Sequence, residues 1–461
     1  MSLIHEHSSE CTISPLEWFC IPPTQTAVEK THNVDYQPLT SIRPGAPIEF
    51  YIPASTEEYL DLKNSRLHVT CRIIKKNGSP CPQDAIVAPI NDFFNSLWSN
   101  VELFLNDRLI SHSNNIHGYS WVFMGIISHL IHDSEEALSS QRATQLIFKD
   151  TAGALDSVEA NVPNTYNAIN GFDIADDGTT VADCTNHGLH QRFLFTRQSQ
   201  QVMLSGGLRI DLFEQARYLP NGISMKIRLN RQKDEFILMS AANDFKVEIL
   251  EAYLSIRKVK VSPGIALGHA DALMTSPAKF PITRKECKVL AIPAGFRSFT
   301  KDNIFLGQLP KRLVIGMIRN TAFAGAVTSN PYKFSHFNVN YIQLYTDGEP
   351  VQSKPFKLNV QQGKYLDAFE TLSKSFDKLD GEKSAIIKRE DWVRGYSLFS
   401  FDLTPDYDDD DRFPLIRHGN LRLEMNFDEV LAQTINVIVY AEFDNIIEIS
   451  NNRNIQFDYT S

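Results

Sequence analysis

The sequence has no apolar run approaching the roughly 18 residues of a membrane-spanning helix. Its first residues, MSLIHEHSSE, lack the basic segment and apolar core of a secretory leader. No membrane span is therefore expected, and the chain reads as folded inside a cell, in a reducing compartment, and not secreted. Cysteine is sparse: the six residues Cys11, Cys20, Cys71, Cys81, Cys184 and Cys287 show neither CxxC nor a Cys/His zinc spacing. Cys71 and Cys287 fall in strand-like apolar runs and read as small buried hydrophobes. GxGxxG, GxxxxGKS/T and GxSxG are all missing, which removes the common phosphate-cradling and nucleophile-elbow signatures. Basic charge is short as well. Lys and Arg number 45 against 55 Asp and Glu, a net charge of -10, where a general nucleic-acid binder would carry a basic excess. From Asp150 to Gln191 there is no Lys or Arg at all, while Asp156, Glu159, Asp173, Asp176, Asp177 and Asp183 accumulate.

What is present is repetition. At 461 residues the chain exceeds what one core usually supports, so two domains are expected. Leu208 to Asn230 (LRIDLFEQARYLPNGISMKIRLN) and Ser400 to Phe427 (SFDLTPDYDDDDRFPLIRHGNLRLEMNF) share a plan: an apolar-Asp-Leu strand, a polar loop, a Pro, a Gly and a strictly alternating strand. Leu60 to Lys75 resembles Phe305 to Arg319, where Arg66 and Arg312 open strands with apolar positions Leu67, Val69 and Cys71, or Leu313, Ile315 and Met317. Phe94 to Ile110 resembles Phe334 to Val351, with Asn106-Asp107 and Asp347-Gly348 supplying the positive φ of a two-residue hairpin. Three collinear pairs argue for a duplicated β-domain. Asp211, Pro220 and Gly222, with their counterparts Asp402, Pro414 and Gly419, read as loop-geometry residues: glycine and proline set turns, and Asp satisfies nearby backbone N–H groups.

In chain order, residues 1–46 read as a polar arm carrying Trp18, Phe19 and Ile21. Residues 47–262 form the first domain, with a long excursion over about 112–191. Helical spacing appears in His117 to Phe148, with a second helix starting near Ser134-Glu135-Glu136, and an acidic, turn-rich segment follows. A connector with a short helix near Ala270 to Met274 opens the second domain, 263–450, whose excursion over about 361–394 holds a helix across Lys364 to Leu379. Residues 451–461 read as a tail. Some eight strands per half, long connections and no βαβ alternation predict an all-β chain of two tandem eight-stranded jelly-roll sandwiches with helical and loop excursions.

Cys287 to Leu358, GYSLFSFDLTPD (Gly395 to Asp406), GNLRLEMNF (Gly419 to Phe427) and INVIVYAEFDN (Ile435 to Asn445) closely resemble the major capsid protein of Polinton (Maverick) elements and adintoviruses. The match is dense over the second half and extends more loosely back to Ile48. The resemblance implies a hexon-like double jelly roll that forms pseudo-hexagonal homotrimers. These would pack into a virion shell, with a penton or minor capsid protein of the same element and packaged DNA, weakly and non-specifically held, as partners. It also implies outward towers built from the excursions, and termini on the inner side.

Two other classes compete. A bicupin-type metalloenzyme needs an HxH pair, which His112/His117, His129/His132 and His187/His190 do not provide; a non-viral β-sandwich binding protein of the lectin or adhesin kind would carry a leader and disulfides. No catalytic residue, metal or cofactor is expected. DYDDDD (Asp406 to Asp411) lacks the ligand alternation of a calcium loop and reads as a solvated charge run. KIRLNRQK (Lys226 to Lys233) with RKVK (Arg257 to Lys260) reads as the wet face of two strands, although an inward strip opposite DNA would use the same residues. MLSGG (Met203 to Gly207) fits the loose specificity of adenovirus-type proteases, but a cut there would sever the first sandwich.

Overall fold

Alternation decides the strands. In the strand from Glu58 to Lys75, Leu67, Val69, Cys71 and Ile73 turn inward and are buried, while His68, Thr70 and Arg72 face outward. A computed structural model of the chain describes residues 14–16, 18–19, 21, 23–114, 116–124, 144–158, 185–374, 387–404 and 413–457. The first half contains β1 (Val28–Tyr36), β2 (Ile48–Ile52), β3 (Glu58–Lys75), β4 (Val87–Pro89), β5 (Trp98–Leu105), β6 (Arg108–His112), β7 (Val202–Gly207), β8 (Met225–Arg231), β9 (Leu238–Ser240) and β10 (Phe245–Val261). The second contains β11 (Ala278–Ile292), β12 (Ser298–Lys301), β13 (Arg312–Arg319), β14 (Val339–Thr346), β15 (Glu349–Pro350), β16 (Phe356–Lys357), β17 (Leu398–Asp402), β18 (Leu421–Phe427), β19 (Ile435–Ile449) and β20 (Ile455–Phe457).

The two halves repeat one topology. The first roll pairs β1-β10-β3-β7 in one sheet and β2-β8-β5-β6 in the other, with β4 and β9 forming a small separate ladder. The second roll pairs β11-β19-β13-β17 and β12-β18-β14-β15. In both, the first, eighth, third and sixth main strands make one sheet and the second, seventh, fourth and fifth make the other. This is the double jelly roll expected from the repeats. The hairpin residues Asn106 and Asp107 (φ 46° and 62°) and Asp347 and Gly348 (φ 52° and 89°) adopt the required left-handed backbone. Buried apolar side chains from both rolls form one continuous cluster.

Several expectations change. Val28–Tyr36, placed by sequence in the N-terminal arm of residues 1–46 rather than in the first domain, pairs with β10 along most of its length and is an edge strand of the first roll. Residues 455–457, read as tail, pair with β19. The apolar-Asp-Leu strand expected at Ile210 to Leu212 is instead the one-turn helix Asp211–Glu214. The connector helix runs Pro263–Thr275, well beyond the expected 270–274. Helices occur at His117–Met124 and Leu366–Lys374, inside the expected spans. The helix start at Ser134-Glu135-Glu136, the heart of the acidic excursion (159–184), the DYDDDD run and the His129/His132 pair lie outside the described residues.

Candidate functional site

The six repeat-signature residues divide between local turns and the junction of the rolls. Asp402 acts locally: its Oδ1 accepts the N–H and the hydroxyl of Thr404 at 2.9 and 2.6 Å. Pro220 is buried beside Leu219, whose backbone exchanges hydrogen bonds with Leu60 in both directions. Gly222 sits at φ +79° and donates its N–H to Ser55 O at 2.8 Å. Pro414 is half-buried in the loop before β18. At Gly419 an added methyl would stand 2.5 Å from the Asp347 carboxylate and would displace it.

The two glycines are not equivalent in register. Asn106 Oδ1 accepts the N–H of Ser224, and Asp347 Oδ1 accepts the N–H of Asn420, so each hairpin turn caps the strand that follows its glycine. Met225 then faces Leu105 as Leu421 faces Thr346. Gly222 precedes its capped residue by two positions and Gly419 by one.

Asp211 departs from the loop-geometry expectation. It is buried in a pocket of about 320 Å³ between the rolls, lined in part by Ser111, His117, Arg209, Arg284 and Lys285. Burial pushes its carboxyl up to about 7, with Glu214 adding to the rise while Lys285 and Arg284 oppose it. In the same pocket Ser113 Oγ and His117 Nδ1 lie 2.9 Å apart, and burial lowers the His117 imidazole to about 3, leaving it neutral across the physiological range.

A network of buried polar groups joins the rolls. Arg192, fully buried on helix His187–Thr196, donates to Pro89 O (2.8 Å), Phe148 O (2.7 Å) and Asp150 Oδ1 (2.6 Å). Asp150 Oδ2 accepts from Asn330 Nδ2 at 3.1 Å, and the Asp150 carbonyl accepts the Tyr396 hydroxyl at 2.8 Å. Asp156 takes the Asn330 N–H and the Lys333 ammonium, and Lys149 pairs with Asp391. The opening of the acidic excursion, which the capsid resemblance would make part of an outward tower, is thus folded against the second roll.

Beside it Phe123 stacks on Tyr440 (centroids 5.9 Å, 10°) and lies against Phe334, while Tyr119 meets Phe236, Phe323 and Tyr332. The C-terminal hairpin is held in turn by the first roll. Asn106 Nδ2 donates to Arg453 O, Arg453 donates to Asn221, and Arg108 donates to Ile455 O and covers the Phe457 ring. None of these cross-roll partners could be found from sequence, because each links residues far apart in the chain.

The basic segments do not form one strip. Lys226 lies over Phe104, Arg228 binds Glu49 and Glu102, Arg257 lies beside Asp61, and Lys258 binds Glu58. The two runs belong to different sheets. Among the described residues no group of three His, Cys, Asp or Glu side chains is placed to hold a metal ion. Cys71, Cys81 and Cys287 are buried and unbridged, and burial pushes the Cys71 and Cys287 thiols up to about 12. No described helix is long and apolar enough to cross a membrane.

With this geometry in place, comparison with known proteins identifies the class of fold. No family model matches the chain. In sequence it is similar to an uncharacterised Caenorhabditis elegans protein, F54H12.2, at 22% identity over 448 residues, covering 94% of this chain and 98% of that protein. In structure it is similar to a chain of the Sputnik virophage solved by cryo-electron microscopy, with a TM-score of 0.63 and 13% identity across 99% of this chain and 94% of that one. It is also similar to the mavirus major capsid protein (TM-score 0.54, 12% identity, 99% and 97% covered) and to the Faustovirus major capsid protein (TM-score 0.55, 10% identity, 94% and 92% covered). At these identities the likeness is one of fold, and the fold is the double jelly roll of viral major capsid proteins.

Proposed function

We propose that this chain is a structural, non-enzymatic major capsid protein: the hexon-like subunit of a virion-like icosahedral shell, of the kind encoded by Polinton (Maverick) elements and adintoviruses. One observation carries the reading. The chain holds the same eight-strand topology twice and matches capsid proteins from end to end rather than over one roll. Duplication has a geometric use in such a shell. Three chains with two similar wedges each make a pseudo-hexagonal block that tiles a lattice with only three-fold symmetry. The partners are then other copies of the chain, a penton or minor capsid protein of the same element, and packaged DNA through weak contact. The protein would be made inside the host cell and reside in the capsid.

Obligate interfaces commonly bury more than about 2,000 Å², so trimers should survive dilution. Light scattering after size exclusion, across a dilution series, should give a concentration-independent mass near three times the 52.2 kDa chain. A stable monomer would overturn the reading.

A further inference from the structure

Each roll lays one row of backbone beside a central strand, β10 in the first and β19 in the second. In the first roll that row is the single strand β3, which pairs with β10 from Lys75 opposite Phe245 to Glu58 opposite Lys260, with two register shifts on the way. In the second roll the row comes in two pieces. β13 runs from Arg319 opposite Ile435 to Arg312 opposite Glu442, and β20 takes over with Phe457 opposite Ile447. Between them Asp444, Asn445 and Ile446 have no strand partner on this side among the described residues.

The repeat shows what the gap lacks. Arg66 faces Ser255 as Arg312 faces Glu442, so Lys258, Val259 and Lys260 correspond to Asn445, Ile446 and Ile447. In the first roll those three face Leu60, Tyr59 and Glu58. In the second, Phe457 stands where Glu58 stands and the chain runs in the same direction, so the next two residues, Asp458 and Tyr459, fall in the places of Tyr59 and Leu60. Beyond them the row is already stopped. Gln308 Nε2 donates to Asp444 O at 3.0 Å, and Asn445 Nδ2 donates to Gln308 Oε1 at 3.1 Å. Ser65 makes a similar stop at the matching point of the first roll, where its Oγ accepts the N–H of Arg257.

The gap opens as a cleft of about 1070 Å³, lined in part by Leu306, Gln308, Phe413, Ile416, Asn445 and Phe457. Leu306, Phe413 and Ile416 are 80%, 50% and 58% exposed, an apolar rim beside an open strand edge. Such an edge takes an extended segment, with backbone bonds for affinity and pockets for alternate side chains.

We infer that Asp458 and Tyr459 of the same chain occupy this cleft, extending β20 along β19 as far as the Gln308 stop. Ser450 donates its N–H to Asn454 O, so the even-numbered residues of β19 turn their backbone groups toward β20. Asp458 therefore exchanges backbone hydrogen bonds with Ile446, and Tyr459 faces Asn445 in the closer, non-hydrogen-bonded pair. Tyr459 then shares a sheet face with Phe457 and Phe443, whose ring meets Phe305 edge-on at 5.4 Å. In the first roll the matching stretch is part of β3 itself. Here it comes from a distant part of the chain, so the cleft can open while β13 stays paired, a property that goes beyond the capsid reading.

Hydrogen exchange of the full-length chain, followed at Ile446, tests this. Asp458→Pro removes the N–H donated to Ile446 O, and the loosened rung should speed exchange of the Ile446 N–H at least about tenfold. Asp458→Ala keeps the backbone bond and should leave that exchange unchanged. In the double variant Asn445→Cys with Tyr459→Cys a disulfide should form within one chain under mild oxidation, because a non-hydrogen-bonded pair brings the Cα atoms to about 4.5 Å, inside the range a disulfide spans.

Wild-type exchange at Ile446 as fast as in the Pro variant would overturn the inference, as would equal acceleration by Ala. A disulfide found only between chains would overturn it too, since the occupant would then be a second copy. None of these outcomes depends on the mass of the assembled protein, so the capsid reading stands or falls separately.

Discussion

Arg192 and Asp150 form an ion pair at 2.6 Å with both side chains sealed from solvent, and the second carboxylate oxygen of Asp150 crosses to Asn330 in the other roll. A buried pair of this kind is costly to break because the surviving charge has no partner. Arg192→Met should therefore cost about 3–5 kcal/mol in urea unfolding, whereas the double variant Arg192→Met with Asp150→Leu should regain much of the loss. A double variant no more stable than the single one would show that the pair adds more than it costs to bury.

Asp211 should make stability depend on pH. Its folded carboxyl titrates near 7, above the ordinary 3.8, so the folded chain retains a proton that the unfolded chain releases. The stabilisation is fully present below about pH 3.8, is lost progressively as pH rises toward 7, and changes no further above that. Asp92, raised to about 6 by burial, acts in the same direction. The groups facing Asp211, namely Lys285 and Arg284 on β11 and Glu214 on its own helix, set the balance. Asp211→Asn should flatten this part of the profile, gaining on the order of a few kcal/mol relative to wild type between pH 5 and pH 8 in denaturant titrations. Parallel profiles for the two proteins would contradict it.

What the sequence revealed follows from which physical signals are local. The matching alternation of β3 and β13 after Arg66 and Arg312 and the hairpin turns at Asn106 and Asp347 were legible because alternation and positive φ leave marks over a few residues. β1 was missed because VEKTHNVDY, an edge strand, is largely solvated on both sides and has no apolar period. The helix at Asp211 is too short to show a helical period. Arg192 could not be seen at all: its partner is 42 positions away, and a lone Arg is by default a surface residue. The polar contacts that join the two rolls are of this last, non-local kind.

Gly222 offers a test of the loop-geometry role. Its φ of +79° disfavours any Cβ, and an added methyl would stand 3.1 Å from Nε of Arg453. Gly222→Ala should destabilise the chain by about 1–2 kcal/mol and raise amide exchange at β20, which Arg453 helps anchor to the first roll. Unchanged exchange at Ile455–Phe457 would separate the glycine from the C-terminal hairpin.

Phe123, Phe334 and Gly316 make the last prediction, because they test whether the rolls unfold as one unit. A methyl group at Gly316 would stand 2.5 Å from the Phe334 ring and 2.9 Å from that of Phe123, so the glycine is required by space and not by its backbone angle. Gly316→Ala should cost about 1–3 kcal/mol by overpacking, and Phe123→Ala about 3–5 kcal/mol by leaving a cavity above Tyr440. Combining them should recover part of the loss, since the smaller side chain makes room for the methyl. If the buried cluster couples the rolls, calorimetry of Phe123→Ala should show one transition at a lower temperature. Two transitions, one at the wild-type temperature, would mean that the junction is dispensable to one roll and that the continuous core seen between them does not make their folding cooperative.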